Sequence, residues 1–251
     1  MSTVYLITGA NRGIGRGLTD LILSRPNTSV VALVRDLDHE TSKSLASTTP
    51  GASNTLTILP YDAKQPGSAE TAISTLRKTH GITHDDVVIA NAGTLSKRGP
   101  TVDTPAEAIL EAVDVNTVGP LQLFRACLPL GPAKFIAISS AIGSTTQIPQ
   151  HAHSQTVAYG ISKAGLNHAM RKLSVEYPDM VIEMLTPGPV MTDLTREYKS
   201  FMEEALKKNP TLADRFIPID KVCNGLLGLI DSASKETSGG FRDWSGQVVP
   251  F

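Results

Sequence analysis

Apolar positions along the chain follow two alternating rhythms. Short apolar runs, rich in valine and isoleucine, read as strands buried on both faces at 4–7, 29–34, 55–59, 86–90, 134–140 and 181–185. Between them, apolar residues recur at helical spacing. One stripe is Leu18, Leu21 and Ile22, continuing to Arg25 before Pro26; another is Ala69, Ala72, Ile73 and Leu76, in a helix starting near Pro66. A long helical region runs from 105 to about 128, entered through Thr104-Pro105-Ala106-Glu107, which has the form of an N-cap, a first-turn proline and a capping-box acid. A further helix carries Leu166, Met170, Leu173 and Val175 and stops before Pro178, and the last spans 222–230 with Asp220 as its cap.

Strands that alternate with helices imply an α/β fold: a doubly wound parallel sheet of about seven strands, the last within the tail 238–251, with helices on both faces. No linker or repeat interrupts the pattern, so residues 1–251 read as a single domain. Residues 94–104 and 141–157 are polar loops, and the charged, amphipathic stretch 194–217 reads as a flap over a site. Right-handed crossovers bring the carboxyl ends of the strands to one edge, and the chemically suggestive residues follow strands.

The first of these is Thr8-Gly9-Ala10-Asn11-Arg12-Gly13-Ile14-Gly15, between a strand and a helix. Gly9 permits a tight turn, Gly13 lets the backbone approach a pyrophosphate, and Gly15 allows helix and strand to pack closely. The following helix N-terminus offers unpaired N–H groups to phosphates. This context predicts dinucleotide binding. The second strand ends at Val34 with Arg35 next, where an NAD site normally places an acid for the ribose hydroxyl. Arg35 and Arg12 can instead pair with a 2′-phosphate, which favours NADP(H). Asp36 works against this unless its side chain turns away. Asp62, after the third strand, could accept from an adenine amino group or cap the next helix. Asn91-Ala92-Gly93 ends the fourth strand with small residues that suit a backbone passing close to a bound ring.

Tyr159 and Lys163 stand four apart on a helix, nearly on one face. A nearby ammonium can lower a phenol from its usual value near 10, at about 1.4 kcal/mol per unit. A phenol tuned this way can carry out acid–base catalysis. Alone the pair is a weak signal. Asn116 lies inside the long helix, where an asparagine is ordinarily exposed or bonded locally.

Composition narrows the classes. A net charge of −1 makes no case for nucleic acid or an acidic membrane surface. Cys127 and Cys223 lack metal-ligand spacing and read as buried thiols in a reducing compartment. No apolar run reaches the length of a membrane span, and few residues precede Thr8, so a cytoplasmic protein is expected. His151 and His153 read as solvated loop residues or, alternatively, as contacts to a polar substrate; two histidines without a third ligand make a poor metal site.

Together these motifs resemble the short-chain dehydrogenase/reductase family over nearly the whole chain, and hence its Rossmann fold. The carriers are Thr8-Gly9-(x)3-Gly13-Ile14-Gly15, Asn91-Ala92-Gly93, Asn116, Ser140, Tyr159-(x)3-Lys163 and Pro187-Gly188 with Thr192. Stretches 4–18, 83–92 and 235–250 resemble, more narrowly, fungal norsolorinic acid ketoreductase-like members. The resemblance implies that Tyr159 protonates a carbonyl oxygen, that Lys163 lowers the Tyr159 pKa and holds the nicotinamide ribose, and that Ser140 hydrogen-bonds the carbonyl oxygen. It implies that Asn116 holds a water relaying protons to Lys163, and that Gly188, Val190 and Thr192 line the nicotinamide. It also implies a homodimer or homotetramer paired through the helices bearing Asn116 and Tyr159. The reaction expected is NADPH-dependent reduction of an aromatic or polyketide-like ketone. Alternatives are the reverse dehydrogenation, a cofactor-binding module without turnover, and an isomerase or cyclase. One departure is the stretch from Ser140 to Tyr159, longer than the resemblance implies, which falls beside the substrate.

Overall fold

The computed structural model describes residues 2–95, 98–152, 154–192 and 216–251. Seven parallel strands form one sheet in the order β3-β2-β1-β4-β5-β6-β7. The strands are β1 (Thr3–Thr8), β2 (Thr28–Val34), β3 (Thr55–Pro60), β4 (Val87–Ala90), β5 (Lys134–Ile138), β6 (Val181–Thr186) and β7 (Phe241–Asp243). Between them lie α1 (Gly13–Leu23), α2 (Glu40–Ala46), α3 (Ser68–His80), α4 (Ala106–Val113), α5 (Gly119–Cys127), α6 (Val157–Glu176) and α7 (Ile219–Ser232).

Alternate side chains of each strand feed two cores. On one face Leu6, Val88 and Phe135 pack with Ile73 of α3, Leu123 of α5 and Met170 of α6. On the other Ile7, Ile89 and Ile136 pack with Leu18 of α1, Leu45 of α2 and Leu226 of α7. Every residue of β2 and β6 is buried, as expected of interior strands covered on both sides. The strand order reverses between β1 and β4, and at such a switch point the loops on either side part to leave a crevice. Cys127 and Cys223 are both buried free thiols.

Several local expectations change. Helix α2 has no apolar stripe to announce it, since only Ser42 and Leu45 are buried; His39 caps it by accepting from the Thr41 N–H at 3.2 Å. The Thr104 hydroxyl does not cap α4 but donates to the Pro100 carbonyl at 3.2 Å, and Pro105 takes the cap position. Asp220 sits in the first turn of α7, after Pro218, where its charge meets the positive end of the helix. Asp62 does not cap α3, which Gly67 precedes in a left-handed conformation (φ 79°); its carboxylate accepts from the Lys64 N–H at 3.0 Å. The long helix is interrupted by one π-turn, Asp114–Val118, which separates α4 from α5. Arg25 falls beyond the end of α1, and Val175 is exposed. Residues 194–215 of the expected flap, and His153, lie outside the described residues.

Candidate active site

The turn after β1 is braced from the neighbouring strand. The Thr8 hydroxyl accepts the backbone N–H groups of Asn91 (3.0 Å) and Ala92 (2.8 Å). The Asn91 amide donates back to the Thr8 carbonyl at 2.8 Å and the Gly9 carbonyl at 3.4 Å. Gly9 and Gly13 have φ of 65° and 55°, a conformation that favours glycine. A Cβ on Gly15 would stand 2.2 Å from the Gly9 carbonyl oxygen, so α1 begins in contact with the turn. A Cβ on Gly13 would come within 3.5 Å of Thr192 Cβ, which brings the loop after β6 opposite the glycine turn. The Asn11 side chain is occupied elsewhere: it donates to Thr41 at 2.7 Å and Ser42 at 3.0 Å, tying the turn to α2. Ile14 is half-buried beside α7, its carbonyl 3.8 Å from Cys223 Sγ.

Arg12 and Arg35 are exposed, and neither forms an ion pair among the described residues. The Asp36 carboxylate accepts the Asp38 N–H at 2.8 Å. Arg12 caps α1 in the turn after β1 and Arg35 directly follows β2, so among the described residues each offers an exposed guanidinium suited to a phosphate ester. Asp62 is half-buried above β3.

Beyond β4 the chain meets α6. Asn116 is fully buried inside the π-turn, contrary to the ordinary behaviour of a helix asparagine. Its Oδ1 accepts the Thr94 N–H at 2.9 Å, and its Nδ2 donates to the Thr94 carbonyl and to Ser162 Oγ, both at 2.9 Å. The side chain thereby bonds at long range and fixes the loop after Gly93 to α6. A Cβ on Gly93 would lie 3.0 Å from Asn116 Oδ1 and 3.8 Å from Lys163 Nζ, so Gly93 is where the β4 loop touches the lysine.

Lys163 is 4% exposed and donates to the Ile138 carbonyl at 2.8 Å. Burial pushes its ammonium down to about 8. Half-buried Tyr159 has its ring centroid 5.8 Å from Lys163 Nζ. Burial pushes its phenol up to about 12, against the opposing effect of a hydrogen bond with Ser140. The downward shift expected from Lys163 is thus overridden: the ammonium is committed to the end of β5 while desolvation favours the neutral phenol. Ser140 is half-buried and accepts the Ile142 N–H at 3.3 Å. Ser139 faces inward, with its hydroxyl 2.5 Å from Asn167 Oδ1, so only the second serine faces the tyrosine. After β6, Pro187 and Gly188 (φ 70°) turn the chain over Trp244, Val190 is buried, and Thr192 is half-buried.

Three contributors carry no strong sequence signal. Ser162 lies within the Tyr159–Lys163 spacing, and its hydroxyl donates to the Tyr159 carbonyl at 2.7 Å. Thr94 supplies only backbone atoms to Asn116. Gly143 lets the turn after Ser140 press on α6: a Cβ there would be 2.7 Å from the Lys163 backbone. Among the described residues no three His, Cys, Asp or Glu side chains gather as metal ligands, and no helix is long and apolar enough to cross a membrane.

Known proteins share the fold. The profile of the short chain dehydrogenase family matches residues 3–203. A norsolorinic acid ketoreductase of Dothistroma septosporum is 34% identical over 244 residues, which cover 95% of this chain and 88% of the relative. A short chain dehydrogenase of Penicillium aethiopicum is 36% identical over the full length of both chains. Among solved structures, the NADPH-bound carbonyl reductase from chicken fatty liver superposes with a TM-score of 0.84 at 28% identity, covering all of both chains. The chain belongs to the short-chain dehydrogenase/reductase family and is an oxidoreductase acting on C=O and CH–OH groups.

Proposed function

We propose that the chain is an NADPH-dependent ketoreductase that reduces an aromatic or polyketide-like ketone to an alcohol. The observation that carries this reading is the Tyr159 phenol, hydrogen-bonded with Ser140 and held neutral at physiological pH. A neutral phenol is the form that gives a proton to a carbonyl oxygen. The ketoreductase names of the relatives and the NADPH of the avian structure support the same assignment.

The residues around the crevice fit a dinucleotide. A side chain at Gly15 would fill the closest approach, and the left-handed Gly9 and Gly13 open the turn to phosphates. Arg12 and Arg35 would hold a 2′-phosphate. Asp62 would accept from the adenine, and the backbone of Asn91, Ala92 and Gly93 would pass beside it. Pro187, Gly188, Val190 and Thr192 would flank the nicotinamide. Bound there, NADPH supplies a hydride to the carbonyl carbon.

The chain's own groups manage the proton and the geometry. Ser140 donates to the carbonyl oxygen and stabilises the charge that develops on it. Tyr159 Oη transfers its proton to that oxygen. Lys163, charged below pH 8, would hold the ribose hydroxyls. Asn116 holds the backbone to which a relaying water binds. The exposed Leu110 of α4 and Ile161 of α6 support subunit pairing through these helices. We further assign 1–251 to one NADP-binding domain, in the cytoplasm.

A panel of aryl and alkyl ketones, followed at the NADPH absorbance with NADH as control, tests the reading. Turnover with NADPH that Tyr159→Phe abolishes without loss of cofactor binding is expected. Near wild-type reduction by Tyr159→Phe would refute the mechanism.

A further inference from the structure

The stretch from Ser140 to Tyr159 is held at both ends. At its start the turn Ala141–Gly143 lies against Lys163, where Gly143 has no room for a side chain. At its end Arg98 donates through Nε (3.1 Å) and Nη2 (2.8 Å) to the Ser154 carbonyl, and Gly99 N–H bonds the Gln155 carbonyl at 3.0 Å. Gln155 has φ 48°, an uncommon left-handed conformation for a side-chain-bearing residue. Such strain persists only where its surroundings impose it.

The middle has a different anchor. The main-chain oxygen of Phe251 accepts from the Thr146 N–H at 3.2 Å, the Thr146 hydroxyl at 2.5 Å and the Thr145 hydroxyl at 3.3 Å. Phe251 is itself tied back to the sheet. Its ring stands 5.8 Å from that of Phe241 in β7, and the Val249 N–H bonds the Phe241 carbonyl at 2.8 Å. Three donors on one oxygen, outside any helix or strand, form a clamp between the edge of the sheet and a loop whose two ends both reach the carbonyl site. The clamped segment carries the exposed Ile148 and Pro149, an apolar surface on an otherwise polar loop.

We propose that Phe251 and Thr146 are specificity-determining residues: their clamp sets the position of residues 144–151 and thereby discriminates bulky apolar ketones from compact ones. This rests on the ketoreductase reading. Neither residue touches the proton-transfer groups, so loosening the clamp changes which ketone fits and leaves the chemical step intact. Its effect falls on KM, the signature of altered uniform binding.

The test compares wild type, Phe251→Ala and the double variant Thr145→Ala/Thr146→Val on a one-ring and a three-ring aryl ketone. Cofactor titration and hydrogen exchange of 144–152 are measured in parallel. Loss of two hydroxyl donors should speed exchange in this segment and change the ratio of kcat/KM values between the two ketones by about tenfold. The change should arise in KM, with NADPH affinity unaltered. An unchanged ratio despite faster exchange would overturn the specificity role, and unchanged exchange in both variants would overturn the clamp. Wild type inactive on every ketone would instead refute the reductase reading, and the specificity role with it, leaving exchange to judge the clamp alone.

Discussion

Ser162 holds Asn116. The asparagine amide donates to Ser162 Oγ at 2.9 Å, and the serine hydroxyl donates in turn to the Tyr159 carbonyl at 2.7 Å. The π-turn of the long helix is thereby joined to the first turn of α6, and the Thr117 hydroxyl reinforces the joint by donating to the Ser162 carbonyl at 2.6 Å. A π-turn frequently marks a functional position in a helix. Ser162→Ala would leave the fully buried Asn116 amide short of an acceptor. The expected cost is about 1–3 kcal/mol in a denaturant titration. Turnover should fall while NADPH binding persists. Unchanged stability and unchanged turnover would remove Ser162 from the site's framework.

The two directions of the reaction should differ in pH dependence. With the Tyr159 phenol pushed up to about 12, its proton-donating form is fully populated through the neutral range. Ketone reduction should therefore show no tyrosine-controlled fall up to pH 9. Alcohol oxidation needs the phenolate, and its kcat/KM should climb with pH by about tenfold per unit while the phenol controls it. Profiles of both directions on one substrate pair decide this; a plateau in oxidation from pH 7 would place the tyrosine far lower.

Arg35→Asp replaces an exposed cation with an anion where a 2′-phosphate would lie. NADPH affinity should fall by about tenfold or more, the value of a charge-assisted hydrogen bond, and NADH affinity should change little. An unaltered preference in fluorescence titrations would discard the role.

Asp85, just before β4, is 2% exposed, and neither carboxylate oxygen has a hydrogen-bond partner. Burial, assisted by neighbouring Asp86, pushes it up from 3.8 to about 7. Between those values the folded chain keeps a proton that the unfolded chain releases, so stability falls as pH rises through that window. Asp85→Asn imitates the protonated form. It should match wild type near pH 4 and exceed it above pH 7, by a few kcal/mol on the order of the shift. Equal melting midpoints at pH 8 would contradict this.

Arg242 of β7 pairs with the fully buried Glu183 of β6 at 2.8 Å. Arg242→Met alone should destabilise by about 3–5 kcal/mol, because it strands a buried charge. Adding Glu183→Gln should recover much of that loss, and the double-mutant cycle measures the coupling.

Much of this site was legible because its residues must recur at fixed offsets from strand ends. The glycine turn and Asn91–Gly93 follow from a backbone that must approach something, the Tyr159–Lys163 spacing from one helix face, and Ser140 from the family resemblance alone. Less legible was what depended on burial. The Tyr159–Lys163 spacing correctly placed two groups near each other, but only the packed structure shows desolvation raising the phenol while the Lys163 ammonium turns to the Ile138 carbonyl. Asn11 reads as a loop residue beside phosphates, whereas its amide is spent on Thr41 and Ser42 of a helix that no apolar stripe announces. Helix position alone reads Asn116 as an asparagine bonded locally, and only the family resemblance marks it as functional, because its partners Thr94 and Ser162 lie far away in sequence.

The brace that joins Thr8, Gly9 and Asn91 has a thermodynamic consequence. The glycine turn is already held by the end of β4, so a ligand arriving there orders few torsions and forfeits little conformational entropy. Much of the cost of shaping that turn is met once, when the chain folds, instead of at every turnover. A lesion at Asn91 would reverse this, making each binding event re-form a turn whose glycines lie more than seventy residues upstream.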